Sequence, residues 1–165
     1  MSKVILSLGS NTGDRLANIE KAITLINRHI GIINSKSSLY ETEPCGYKSE
    51  NNFLNMVLEV ETNLLPNTIL SKCKEIEKTN GRKNISNTYT DRSIDIDILF
   101  YENEIIDSPT LKIPHPLLHQ RKFNLIPLND IIPDFIHPVL NKSISELLNL
   151  CEDKSLVAVF QKDKR

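Results

Sequence analysis

The chain has 165 residues, with 20 Lys and Arg against 21 Asp and Glu, so its formal net charge is -1. This length is typical of one domain that buries its own core, and a charge so near zero excludes the general basic field of proteins that bind nucleic acid or anionic membranes. Three cysteines without a CxxC pair indicate free thiols and a cytoplasmic location, and the N-terminal apolar run is too short for a signal peptide or a membrane span.

The first half of the sequence alternates strand and helix patterns. The apolar run "KVILSLG" predicts a buried strand, and "IINSKSSLYETEP" and "FLNMVLEVET" predict two further strands. After the first strand, apolar residues recur at helical spacing, at Leu16, Ile19, Ile23, Ile26 and Ile30. In the third strand one alternate set of side chains should face the core, namely Leu54, Met56, Leu58 and Val60.

A second helix and a last strand follow. Pro66 suits the first turn of a helix, and Gly81 suits its end. The apolar residues on one face of this helix are Ile69, Cys73 and Ile76. After the irregular "RKNISNTYTD", the run "SIDIDILFY" predicts the strand.

The order of these elements predicts the fold. A β-α-β-β-α-β order is typical of a ferredoxin-like α+β sandwich with a mainly antiparallel sheet. The remaining residues contain "HPLLHQRKFNLIPLNDII", a capping box from Ser143 to Glu146, and "SLVAVF". We expect them to form a helical and strand extension of the same domain.

Two acids interrupt the last predicted strand, within "DRSIDIDILF". Because strand side chains alternate, Asp95 and Asp97 should share one face, opposite to the isoleucines beside them. At roughly 6 to 7 Å the two carboxylates repel each other by about 2 to 3 kcal/mol at an effective dielectric near 20. The pair therefore indicates a cation between them, or alternatively the solvated face of an edge strand.

Arginines lie on both sides of these acids. Arg82 begins the irregular segment, Arg92 ends it, and Arg121 lies downstream in "HQRKF". Carboxylates that hold divalent cations, with guanidinium groups that bind phosphate oxygens, form a suitable site for a polyphosphate. Surface salt bridges would explain each arginine as well. Since GxxxxGK[ST] is absent and "LGSNTGD" lacks the dinucleotide spacing, metals and arginines would supply most of any phosphate binding.

Two histidines four residues apart, His115 and His119, raise the question of a zinc site. Both neighbours of His115 are prolines, so "PHPLLH" cannot form an unbroken helix, and HExxH is absent. A rigid turn that presents His115 to a ligand fits the pattern better than zinc. An ordinary hydrogen-bonded loop histidine is the alternative.

A third polar stretch, "YETEPCGYKSENNFLN", leads into the strand that carries Phe53 and Asn55. These two side chains lie on the noncore face of the strand. A ring and an amide together could stack on and hydrogen-bond a flat heterocycle. A half-exposed strand face explains both equally well.

Taken together, seven short motifs span nearly the whole chain: "LGSN", "YETEPCG", "FLN", "EKTNGR", "DRSIDIDIL", "IPHP" and the R-x-F of Arg121 to Phe123. In order and spacing they resemble the 6-hydroxymethyl-7,8-dihydropterin pyrophosphokinases of folate biosynthesis. The resemblance implies a ferredoxin-like fold and one pterin pyrophosphokinase domain over residues 1–165. It also implies transfer of the β,γ-diphosphate of ATP to the pterin hydroxymethyl group, with release of AMP and with two Mg²⁺ ions bound by Asp95 and Asp97.

The resemblance further implies roles for individual residues. The catalytic residues would be Arg82, Arg92, Asp95 and Asp97. ATP would contact Lys74, Glu77, Arg82, Arg92, Ile98, Leu111, Lys112, His115 and Arg121. The pterin would contact Thr42, Pro44, Cys45, Phe53, Asn55, Tyr89 and Phe123, with Phe53 and Phe123 on opposite sides of its ring.

The segment before the acids departs from the family pattern. Thr90 and Asp91 stand where Gly and Pro are usual. Asn84 replaces a residue that is often basic, although Lys83 is next to it. A noncatalytic nucleotide-binding regulator is therefore the alternative function, whereas an RNA-binding module would need an RNP pattern, which is absent. We expect small-molecule substrates, no nucleic-acid or membrane partner, and a monomer or weak dimer.

Overall fold

The computed structural model describes residues 1–44, 51–80 and 93–161 of the chain. Its strands are β1 (Ser2–Ser10), β2 (Ile32–Lys36), β3 (Tyr40–Thr42), β4 (Phe53–Thr62), β5 (Asp95–Tyr101), β6 (Ile106–Asp107), β7 (Lys112–Ile113) and β8 (Val157–Val159). Its α-helices are α1 (Arg15–His29), α2 (Pro66–Thr79), α3 (Lys122–Ile131) and α4 (Ile144–Leu150), with a 3₁₀ turn at Leu118–Gln120. None of the helices in these ranges is long and apolar enough to cross a membrane.

One antiparallel sheet organises the described residues. Its strand order is β5-β1-β4-β3-β8, and β2 pairs with β4 beside β3. A separate hairpin consists of β6 and β7. If β2 and β3 are counted as one interrupted strand, the chain runs β-α-β-β-α-β, which confirms the predicted ferredoxin-like fold.

Helices α1 and α2 cover one face of the sheet. The Asp14 side chain caps α1 by accepting the Ala17 N–H, and Pro66 begins α2. The predicted apolar face of α2 is buried, as is the predicted set on β4: Ile69, Cys73, Ile76, Leu54, Met56, Leu58 and Val60. These predictions are therefore confirmed. The end of α2 comes at Thr79, and Gly81 lies outside the described residues.

The stretch "IINSKSSLYETEP" was predicted as one strand, but the structure divides it into β2 and β3. Between them, the Ser37 N–H donates to the Val57 carbonyl at 2.9 Å, while the Val57 N–H donates to Ser37 Oγ at 2.9 Å. A side-chain oxygen thus replaces a backbone carbonyl in the ladder. The substitution interrupts regular pairing without leaving a buried N–H unsatisfied.

Helices α3 and α4 cover part of the opposite face, which the sequence pattern treats as noncore. Val57, Leu99 and Phe100 are buried there. A register shift between β1 and β5 allows Leu99 and Phe100 to face this layer together. The predicted capping box between Ser143 and Glu146 begins α4 and is confirmed. The uncovered remainder of the face carries the polar residues described next.

Candidate functional site

The two acids lie on β5, at one end of the sheet. Asp95 is opposite Gly9 of β1, and Asp97 is opposite Ser7. Both carboxylates are half-buried. The alternate residues lie in the core under α1 and α2: Ile94, Ile96 and Ile98. The acids therefore share the face that the sequence predicts, although that face is partly enclosed rather than simply solvated.

Glu77, a predicted nucleotide contact on α2, is only 6% exposed. Its Oε2 accepts the N–H of Ile96 at 2.9 Å, and Ile96 lies between the two acids. Burial, followed by the charges of Glu77 and Asp97, raises the pKa of Cys73 on the same helix. Glu77 thus connects α2 to the strand that carries the acids.

His115 comes close to this strand from the loop after β7. The backbone N–H of His115 donates to the backbone carbonyl of Leu99 at 3.0 Å. Its Nδ1 accepts the Leu117 N–H at 3.2 Å, so a neutral ring carries its proton on Nε2. Burial lowers the pKa of His115 to about 4; the Arg121 charge lowers it further, and the Asp95 charge opposes the change. The charges of Arg121 and Asp95 thus both act on the His115 ring.

We expect the His115→Gln protein to retain its free energy of unfolding at low pH better than the wild type. The folded-state pKa of about 4 lies below the ordinary value of 6.5, so between them the unfolded chain binds a proton that the folded protein does not. Through this group, the wild type should lose roughly 3 kcal/mol as the pH falls from about 7 to about 4. Urea unfolding at a series of pH values measures the loss.

His29→Gln is the matched control, because His29 is exposed on α1. Burial, with the His119 charge, also lowers the pKa of His137, but His137 is present in all three proteins and its contribution cancels in the comparison. Parallel pH curves for the wild type and His115→Gln would contradict the prediction.

The predicted pterin residues on β3 and β4 form a polar wall beside the acids. Thr42 and Asn55 are buried, and the Asn55 amide donates to the Thr42 hydroxyl. Gly9 is opposite Asn55, and a Cβ on Gly9 would lie 2.8 Å from Asn55 Oδ1 and 3.3 Å from Phe53 Cδ1. Pro44 is half-buried after the end of β3. Because Gly9 has no side chain, the side chains of Phe53 and Asn55 can pack directly against its backbone.

The beginning of α3 approaches the same face. Asn124 is buried, and its Oδ1 accepts the Ser7 hydroxyl at 3.3 Å. The Arg121 guanidinium carbon lies 5.6 Å from the centre of the Phe123 ring. Since Ser7 is opposite Asp97, the first turn of α3 brings Arg121 and Phe123 to the part of the sheet that carries the acids.

Other predicted contacts lie in the core or on the surface. Ile98 and Leu111 are 5% and 7% exposed and belong to the core under α1 and α2. Lys74 is exposed on α2, and Lys112 Nζ pairs with Asp107 on the β6–β7 hairpin. Their predicted roles in nucleotide binding stay predictions.

Four predicted site residues lie outside the described residues: Cys45, Arg82, Tyr89 and Arg92. The departures at Asn84, Thr90 and Asp91 lie there too. Their roles rest on the sequence resemblance and stay predictions.

Sequence reasoning missed two contributors to this face. "LGSN" marks the end of β1, but nothing in that motif shows that Gly9 lies under Phe53 and Asn55. Likewise, the bond between Ser7 and Asn124 joins residues 117 positions apart. A glycine near the end of a buried strand was the one available signal, since strands otherwise disfavour glycine.

A polar cavity of about 410 Å³ adjoins the β3 side of the wall. It is lined by the loop after β1, by Glu41 and by residues 51–52. Arg15 Nη1 bonds to Glu41 Oε2 at 2.7 Å and to the Asn52 carbonyl at 3.1 Å. Arg15 therefore fixes the start of α1 against β3, beside Thr42.

Comparison with known proteins gives a family match. The model of the 7,8-dihydro-6-hydroxymethylpterin-pyrophosphokinase (HPPK) family matches residues 5–133. A 2-amino-4-hydroxy-6-hydroxymethyldihydropteridine pyrophosphokinase of Aquifex aeolicus is 44% identical over 146 residues, which cover 88% of this chain and 90% of that protein. A protein of the same name from Porphyromonas gingivalis is 42% identical over 141 residues, which cover 84% of this chain and 95% of that protein.

A solved structure supports the fold. Wild-type HPPK-DHPS of Plasmodium falciparum with pteroate matches with a TM-score of 0.75 and 22% identity. The match covers 90% of this chain and 42% of that chain. At this identity the likeness concerns the fold alone.

Proposed function

The chain belongs to the 7,8-dihydro-6-hydroxymethylpterin-pyrophosphokinase family, and we propose that it transfers the β,γ-diphosphate of ATP to 6-hydroxymethyl-7,8-dihydropterin. The pterin hydroxymethyl oxygen forms a bond to the β-phosphorus of ATP. The bond from that phosphorus to the α,β-bridging oxygen breaks, and AMP leaves with the bridging oxygen. The hydroxyl proton passes to solvent.

The convergence on one sheet face carries this proposal. Asp95 and Asp97 share one face of β5, the charges of Asp95 and Arg121 both act on His115, and Asn55 lies in the same cross-strand row as Asp95. Phosphoryl transfer requires the two substrates to be aligned and the phosphate charge to be neutralised. This face supplies acids for cations on one side and a polar wall on the other.

The acid pair fits magnesium. Mg²⁺ commonly binds through one or two carboxylates plus substrate phosphates while keeping several waters. Among residues 1–44, 51–80 and 93–161, no three His, Cys, Asp or Glu side chains are grouped as metal ligands. A pair that leaves positions open for triphosphate oxygens is therefore the appropriate donor set, and we assign Asp95 and Asp97 to two Mg²⁺ ions. When bound, the ions would neutralise phosphate charge and lower the pKa of the acceptor hydroxyl.

The remaining residues position the substrates. The neutral His115 ring can donate from Nε2 to an oxygen of the nucleotide, and Arg121 can bind a phosphate through its fork of N–H groups. On the other side, Asn55 can hydrogen-bond the edge of the pterin while Phe53 and Phe123 stack on its ring. Arg82 and Arg92 are assigned to the transferred phosphates through the family resemblance.

We also propose that residues 1–165 form one domain, because α1, α2, α3 and α4 all pack on the same sheet. ATP and the reduced pterin are its small-molecule substrates. Cys73 and Cys151 are free thiols, which supports a cytoplasmic location.

Product analysis tests the reaction. Incubation with Mg²⁺, the reduced pterin and ATP labelled in the γ-phosphate should give equal amounts of AMP and a pterin diphosphate that carries the label. Label in the α-phosphate should stay in AMP. Chromatography of the two labelled reactions measures both products.

A reaction without pterin is the control, and it should release no AMP beyond the background. ADP with a pterin monophosphate would contradict diphosphate transfer. Binding of ATP without any pterin product would instead support the noncatalytic regulator.

A further inference from the structure

The C-terminal segment, residues 151–161, contacts both sides of the site. Its strand β8 pairs with β3, with Val157 opposite Thr42. The Leu156 N–H donates to Glu43 Oε1 at 3.1 Å, and the Phe160 N–H donates to the Leu39 carbonyl at 2.8 Å. The segment lies beyond residues 5–133, which the family model matches.

Asp153 attaches this segment to α3. Its Oδ2 accepts the N–H of Lys122, the first residue of α3, at 3.0 Å. Its Oδ1 accepts the N–H of Ser155 at 2.9 Å. The N-cap of α3 is Arg121, whose side chain makes no capping hydrogen bond. Asp153, 31 residues from Lys122 in the sequence, therefore supplies an acceptor of the kind that a capping side chain normally provides.

The electrostatics agree with this geometry. Burial alone would raise the pKa of Asp153, but the hydrogen bonds from Ser155 and from the Lys122 N–H, with the Lys122 charge, lower it below its usual value. The carboxylate is therefore ionised at neutral pH. A negative charge at the N-terminus of a helix is also favourable.

The rest of α3 has separate attachments. The Tyr40 hydroxyl donates to Asp130 Oδ2 at 2.6 Å near the end of the helix, and Ser7 binds Asn124. Loss of Asp153 would therefore leave the body of the helix in place while releasing its first residue. That residue lies between Arg121 and Phe123.

We propose that Asp153 is a positioning residue for the pterin, an inference that rests on the proposed function. It fixes the beginning of α3, and hence Phe123, relative to β3, which carries Thr42. The segment from Asp153 to Val157 is bonded to the first residue of α3 at one end and to β3 at the other. This short segment therefore fixes the distance between the beginning of α3, which carries Phe123, and β3, which carries Thr42.

The test compares Asp153→Ala with Glu152→Ala, which removes the same charge from the exposed neighbouring residue. Calorimetry measures the pterin Kd in the presence of a nonhydrolysable ATP analogue, and the Kd of the analogue alone. Asp153→Ala should raise the pterin Kd up to about tenfold, the change expected if binding has to restore the order that the lost capping interaction provided. The analogue Kd should change less than the pterin Kd, because among the described nucleotide contacts only Arg121 lies at the beginning of α3, whereas His115 is held by Leu99 of β5.

Asp153→Asn tests the same point if the alanine variant folds poorly. An amide offers one acceptor oxygen where the carboxylate offers two, so its pterin Kd should be intermediate. Steady-state rates should show a higher KM for the pterin with a kcat within about threefold of the wild type.

A pterin Kd in Asp153→Asn and Asp153→Ala equal to that of Glu152→Ala would overturn the proposal, even if the thermal midpoint falls. That result in an active wild type would leave the proposed function intact. A wild type that neither binds the pterin nor transfers a diphosphate would overturn both.

Discussion

Replacing Asp97 by Ala should lower the rate of diphosphate transfer by at least about 10³-fold, and Asp95→Ala should do the same. Both acids lie on the enclosed face of β5, where they are assigned to the cations that neutralise the triphosphate. The folded protein should survive the change, because each substitution removes one of two carboxylates that repel each other by about 2 to 3 kcal/mol. Single-turnover rates at saturating ATP and pterin measure the first effect, and urea unfolding measures the second.

Asp134→Ala is the matched control, since Asp134 is exposed and far along the chain from β5. It should leave the transfer rate within about twofold of the wild type. Near-normal Mg²⁺-dependent turnover in both Asp95→Ala and Asp97→Ala would show that the acids are only a polar strand face.

Gly9→Ala should reduce kcat/KM for the pterin by about 10- to 100-fold while ATP analogue binding is retained. The new Cβ would lie 2.8 Å from Asn55 Oδ1 and 3.3 Å from Phe53 Cδ1, so both side chains must move. A displacement of about 1 Å in a positioning group can cost about 10²-fold in rate. Steady-state kinetics with each substrate varied in turn separates the two effects.

The control is Ala22→Val, which overpacks the core between α1 and the sheet without touching Asn55. Both substitutions should destabilise the protein by roughly 1 to 3 kcal/mol. Only Gly9→Ala should change the pterin kinetics. An equal loss of pterin kcat/KM in the two variants would mean that destabilisation, rather than the geometry of Asn55 and Phe53, is responsible.

The elements that could be predicted from the sequence are those with a clear period and clear ends. β4 has an apolar residue at every second position from Leu54 to Val60, and α2 begins at Pro66, where the ring fits the first turn. Ser143 and Glu146 form the predicted reciprocal bonds at the start of α4. In each case local chemistry alone determines the structure.

The sequence predicts a helical and strand extension but not the bounds of helix α3, because Pro127 lies inside it. A proline lacks the N–H of a helical residue and normally ends a helix pattern, so the run from Lys122 to Ile131 has no sequence signal of continuity. The helix is stabilised by packing instead, since Leu125 and Leu128 are fully buried against the sheet. Because the helix continues past Pro127, it covers part of the second face of the sheet.

The candidate site likewise combines features that the sequence predicts with features that depend on packing. The common face of Asp95 and Asp97 follows from strand geometry, so it could be predicted. The approach of Asp95 and Arg121 to His115 depends on how the loop after β7 and the start of α3 cross the sheet. The bond from Ile96 to Glu77 likewise depends on the packing of α2, and no spacing in the sequence indicates either contact.

The bond between Ile96 and Glu77 also bears on solubility. Among the described residues, β5 is the last strand at its end of the sheet, and its Ile96 N–H donates to Glu77 rather than to β1. Outward N–H groups on such a strand are a template to which a strand of another molecule can add, which leads to aggregation. A buried carboxylate that already accepts this N–H blocks the template near the start of β5. The His115 N–H occupies the Leu99 carbonyl in the same way, so two backbone groups of β5 are unavailable to another polypeptide while the face with Asp95 and Asp97 can still receive small substrates.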